Sequence, residues 1–82
     1  MMSVEEIQEW IDGENKGRET KPFIYQGNYL IFSDGWLAGL NYGKTHTEKE
    51  VELEYWKYND KKLNRDFYNN RYFKALKLVL ER

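Results

Sequence analysis

No cysteine occurs in the 82 residues, so the chain offers neither a disulfide, a thiolate metal site nor a Cys nucleophile, and it suits a reducing compartment. Histidine occurs once, as His46 in the polar run GKTHTEKE, which leaves no second imidazole for a metal pair and no Ser-His-Asp pattern around it. The longest apolar run, Tyr29 to Phe32, is far too short to span a bilayer. The acidic opening MMSVEEIQEW has neither the cationic nor the apolar region of a secretory signal, so a soluble cytoplasmic protein with no membrane contact is expected. The three glycines of GWLAGLNYGK match neither the P-loop nor the dinucleotide fingerprint, and nothing singles out a catalytic pair among the fourteen acids. The expectation is a protein without enzymatic activity, metal or cofactor.

What is present is a core. Hydrophobic residues make up 40% and aromatic residues 17% of a chain whose net charge is only -1, a composition that folds, and whose length has material for one domain spanning residues 1–82. The near-neutrality conceals a division. Residues 1–54 carry eleven acids and five bases, net -6, whereas residues 55–82 carry three acids and eight bases, net +5. Such a division either steers a charged partner or draws the two halves together within one fold.

Helix-start signals crowd the N-terminus: Ser3 caps, Glu6 completes a capping box, and Met2 with Ile7 forms a hydrophobic staple. Val4, Ile7, Trp10 and Ile11 then share a face, which predicts a helix over residues 4–12 ended by Gly13. ENKGRETKP, closed by the only proline, reads as a solvated connection. FIYQ, YLIF and WLAGLNY, punctuated by GN and SDG, read as a three-stranded antiparallel meander. In its third run Trp36, Ala38, Leu40 and Tyr42 take one face, and Gly39 on the other marks a bulge or the close approach of another backbone.

TEKEVELEYWKY carries two competing signals. Alternation of Val51, Leu53 and Tyr55 with glutamates favours a fourth strand, whereas Thr47 and Glu50 form a helical capping box; strand is the preferred reading. Near the C-terminus Tyr72, Phe73, Leu76, Val79 and Leu80 form one apolar helical face, but Leu63 and Phe67 lie half a turn away from it. A break at Asn69-Asn70 resolves the conflict, giving helices near 61–68 and over 71–81. The expected fold is therefore α+β: an N-terminal helix, a three- or four-stranded antiparallel meander, and one or two C-terminal helices packed on the sheet.

Two surfaces follow from this reading. On a strand, Glu48, Glu50, Glu52 and Glu54 would project from one face about 6.5 to 7 Å apart, a local negative field suited to a basic partner or balanced by lysines on adjacent strands. The stretch YWKYNDKKLNRDFYNNRYF, residues 55–73, interleaves seven aromatic rings with Lys57, Lys61, Lys62, Arg65 and Arg71, the residue types that stack on unpaired bases and neutralise phosphates. The isoelectric point of about 5.8 argues against nucleic acid, since single-strand binders are commonly basic throughout. Tyrosine, tryptophan and arginine are equally the residues enriched at protein interfaces. The favoured function is thus a stoichiometric binder, regulator or inhibitor of a protein partner through Trp36, Trp56, Tyr58, Tyr68 and the glutamates. Homodimerisation is one way to cover a second sheet face, and single-stranded nucleic-acid binding is the alternative. The compositional profile is shared by small proteins of phages and other mobile elements that modulate a host protein, although no motif carries that likeness.

Overall fold

The computed structural model describes residues 1–16, 23–26, 29–32 and 34–82. Its elements are α1 (Val4–Asn15), β1 (Phe23–Gln26), β2 (Tyr29–Phe32), α2 (Gly35–Thr45), α3 (Glu48–Tyr58) and α4 (Phe67–Glu81). Helices pack on helices, and this overturns the expected α+β architecture with its meander. Strand pairing among the described residues is confined to β1 and β2, antiparallel with Phe23 opposite Phe32 and Gln26 opposite Tyr29. The GN turn at 27–28, Ser33 of SDG and residues 17–22 of the expected solvated connection lie outside the described residues.

The third expected strand is helix α2, for two local reasons. The Asp34 carboxylate accepts a 2.8 Å hydrogen bond from the Trp36 backbone N–H and so caps the first turn. Gly35, Gly39 and Gly43, four residues apart, fall along one edge of a helix, and α4 lies against that edge. A Cβ on Gly35 would run into the Tyr68 carbonyl, and one on Gly43 would stand 2.9 Å from Val79 Cγ1. Each glycine costs up to about 1 kcal/mol of helix propensity; the close helix contact offsets it.

The fourth expected strand is α3. The capping box forms in full: Thr47 Oγ1 accepts from the Glu50 N–H at 3.3 Å, and the Glu50 carboxylate accepts from the Thr47 N–H at 3.0 Å. Helical phase then separates residues that alternation placed together, for Val51 is buried while Leu53 is 64% exposed. Val51, Tyr55 and Tyr58, at i, i+4 and i+7, form the inward face.

α1 runs past its expected end at residue 12 to Asn15. Nothing lies within 4 Å of where a Gly13 Cβ would be, so this glycine sits unhindered inside the helix instead of ending it. The break expected at Asn69-Asn70 lies upstream. Residues 61–63 form a turn in which the Asp60 carbonyl accepts from the N–H groups of Leu63 and Asn64, at 2.9 and 3.0 Å. Asp66 then caps α4 by accepting from the Asn69 N–H at 2.8 Å. Asn69 thus uses its side-chain capacity at the helix start, its amide donating to the Leu63 carbonyl at 2.9 Å. Leu63 lies outside the helix and Phe67 is 79% exposed, which removes the phase conflict.

The most extensive contact is α2 against α4, with α1 on α2 and α3 on α4. Met2, Ile7, Ile11, Leu37, Leu40, Val51, Ala75, Leu76 and Val79 form the core they enclose. The Met2 N–H donates to the Val79 carbonyl at 2.9 Å and ties the N-terminus to α4.

Candidate functional site

Most rings of the basic aromatic stretch serve the interior. Tyr55 stacks on Phe73 with centroids 5.2 Å apart, and Tyr58 packs on Tyr72 at 4.9 Å, so α3 and α4 meet through paired rings. The Tyr72 hydroxyl donates to the Glu54 carboxylate at 2.8 Å; burial first, then that bond and the charge of Glu54, push its phenol pKa far above 10.0. The Tyr68 hydroxyl donates to the Phe32 carbonyl at 3.0 Å and fastens α4 to the end of β2.

Arg71 is equally committed. Its Nε and Nη2 donate to the two Asp34 oxygens at 2.9 and 3.3 Å, and its guanidinium lies over the rings of Trp36 and Phe67 at 5.8 and 5.5 Å. Trp36 itself is half-buried beside Trp10, 6.3 Å between centroids, and packs against the core. Tyr58 is likewise half-buried. His46, in the polar run GKTHTEKE, closes α2 as its C-cap and stacks on Tyr42 at 3.7 Å, its Nδ1 within 3.0 Å of the Tyr42 carbonyl.

The helix disperses the expected glutamate ladder. Glu50 turns back to Thr47, whose backbone N–H and hydroxyl hold its carboxyl below the usual range. Glu54 faces Tyr72. Glu48 and Glu52, one turn apart, remain together and reach no hydrogen-bond or ion-pair partner among the described residues. Among those residues no three His, Asp or Glu side chains are placed to hold a metal ion, and no helix is long and apolar enough to cross a membrane.

Besides a shallow groove of about 350 Å³ along α1 lined by Glu9, Trp10, Gly13 and Glu14, two open surfaces among the described residues hold expected site residues. The first is a groove of about 290 Å³ lined by Glu48, Glu52, Tyr55, Trp56 and Leu80, where the outer side of α3 meets the end of α4. Trp56 on its rim is 61% exposed, and Leu53 stands beside it on α3. The second is the corner joining α3 to α4, where Lys61, Lys62 and Arg65 are exposed together with Leu63 and Phe67. Of the expected site residues, the fold thus gathers Glu48, Glu52 and Trp56 in one place and Lys61, Lys62 and Arg65 in another. Lys57, at the end of α3, lies over the Tyr58 ring at 5.5 Å. Leu53, Leu80, Leu63 and Phe67 were missed by sequence reasoning. The phase conflict at Leu63 and Phe67 was the signal available for the last two. Compared with protein-family models, curated proteins and solved structures, the chain finds no match.

Proposed function

We propose that this chain is a non-enzymatic binding module that engages a protein partner stoichiometrically, as a regulator or inhibitor, through the outer side of α3. The observation that carries the reading is Trp56, mostly exposed on the rim of an open groove with Leu53 next to it. Large aromatic side chains at the centre of a contact supply much of the energy of protein association, and an indole left in water by the fold gains the most from being covered. Tyr55 and Leu80 give the groove its apolar floor, and Glu48 and Glu52 supply a charged edge that sets orientation. The cysteine-free composition fits a cytoplasmic setting.

Single-strand binding is the weaker reading because the rings it needs are occupied. Tyr55, Tyr58 and Tyr72 pack against other rings, Tyr68 holds the hairpin, and Arg71 is paired with Asp34. Exposed cations remain at Lys61, Lys62 and Arg65, and cations alone give salt-sensitive, sequence-independent association. Fluorescence anisotropy with labelled single-stranded DNA and RNA separates the readings. The expected affinity near physiological salt is micromolar or weaker, and nanomolar binding that falls steeply with salt would reverse the choice.

A further inference from the structure

We propose that the α3 groove is a self-recognition site: the basic corner of a second copy of this chain docks into it, so that self-pairing controls access to the surface assigned above to a protein partner. The inference rests on that assignment and adds the occupant.

Groove and corner complement each other in charge and in shape of exposure. The groove presents two unpaired carboxylates, Glu48 and Glu52, around Trp56, Tyr55 and Leu80. The corner presents Lys61, Lys62 and Arg65 around two outward apolar side chains, Leu63 at 39% and Phe67 at 79% exposure. This local pairing is the surface expression of the division between an acidic first part and a basic last part of the chain.

The corner is also held in one conformation. The Lys62 N–H donates to the Asp60 carboxylate at 2.8 Å, the Asn64 amide donates to the Tyr58 carbonyl at 2.7 Å, and the Asn69 amide donates to the Leu63 carbonyl. Asp66 fixes the start of α4 immediately after it. Bonds of this kind hold Leu63 and Phe67 outward in the free protein, so little ordering entropy remains to be lost on docking. One face of the Phe67 ring is covered by Arg71. The residue is otherwise mostly exposed.

The acidic half of the groove lies away from the corner of the same copy. Glu48 and Glu52 lie in the first half of α3, an 11-residue helix about 16 Å long, and the corner leaves from its other end. In a pair with antiparallel α3 helices, the corner of each copy approaches the acidic half of the other. Both contacts then form at once and the assembly closes at two copies.

Sedimentation velocity over a concentration series, at low and at physiological salt, tests this on the full chain. The expected result is a monomer–dimer equilibrium that weakens as salt rises. Two charge reversals on exposed positions, Glu48→Lys with Glu52→Lys and, separately, Lys61→Glu with Lys62→Glu, should each weaken it more than tenfold by placing like charges in contact. An equimolar mixture of the two variants restores opposite charges at both contacts and should pair again. Phe67→Ala provides an uncharged disruptor, and unchanged far-ultraviolet circular dichroism confirms that each variant is folded. A monomer at every concentration, a dimer indifferent to both reversals, or a mixture that fails to pair would each overturn the inference. A protein partner that still depends on Trp56 while the chain stays monomeric would overturn the self-pairing alone; a partner indifferent to Trp56 would overturn the reading beneath it.

Discussion

Gly39 and Tyr72 bring the backbones of α2 and α4 into direct contact. A methyl group on Gly39 would stand 2.8 Å from the Tyr72 carbonyl oxygen and 2.6 Å from the Cβ of Ala75, both too close for any real side chain to keep. Gly13, also inside a helix, has open space where its Cβ would be. The same substitution should therefore act with opposite sign at the two sites. Gly39→Ala forces the helices apart and is expected to cost about 1 to 3 kcal/mol, lowering the melting temperature by roughly 4 to 8 °C per kcal/mol. Gly13→Ala is expected to stabilise by about 0.5 to 1 kcal/mol through helix propensity alone. Urea unfolding of the two variants checks both.

Asp34 serves two elements, capping α2 at the Trp36 N–H and binding Arg71 of α4. Removing it takes away a cap and a partly exposed ion pair together, whereas removing Arg71 leaves the cap in place. Asp34→Ala should cost about 2 kcal/mol and Arg71→Ala about 1 kcal/mol or less. A double-mutant cycle should return a coupling below about 1 kcal/mol, as expected for a pair that water still reaches. Equal costs for the two single substitutions would show that the cap contributes nothing.

Tyr72, Tyr68 and Tyr42 all hold their protons above the ordinary phenol pKa of 10.0, in each case with burial as the largest cause. A folded-state pKa above the unfolded value contributes stability that is complete below about pH 10 and is lost as pH rises beyond it. Stability should therefore fall in alkali, and ultraviolet titration should show Tyr72 ionising with the unfolding transition and not before it. Tyr72→Phe should flatten the alkaline loss while costing about 1 kcal/mol at neutral pH through the missing bond to Glu54. An unfolding midpoint that Tyr72→Phe leaves unchanged would count against the assignment.

The sequence disclosed α1 readily because its signals agree: Ser3, Glu6, the Met2–Ile7 staple and the spacing of Ile7 and Ile11 all specify one helix. At α3 the signals conflicted. Alternation over Val51, Leu53 and Tyr55 imitates a strand, and the capping box at Thr47 and Glu50 decided the outcome locally. α2 was hidden by composition, since Trp36 and Tyr42 are good strand residues and three glycines discourage a helix. The recurrence of glycine at every fourth position was the informative pattern, and the reason for it, the backbone of α4, lies some thirty residues away along the chain. The expectation of a close backbone approach at Gly39 was sound, although the element was not the one supposed. At the candidate site, Trp56 and the acidic residues Glu48 and Glu52 were legible as residue types. Their grouping was not, because helical phase, and not alternation, determines which glutamates share a side.

The central claim, that Trp56 anchors a protein contact and the basic aromatic stretch is mainly scaffold, is tested most directly by affinity for the partner isolated with the native chain. Measured by calorimetry on purified components, Trp56→Ala should weaken binding about 30-fold, corresponding to about 2 kcal/mol for a central aromatic side chain, with the melting temperature unchanged. Binding that Trp56→Ala leaves intact, but that disappears when Lys61, Lys62 and Arg65 are neutralised together, would contradict it and move the functional surface to the basic corner.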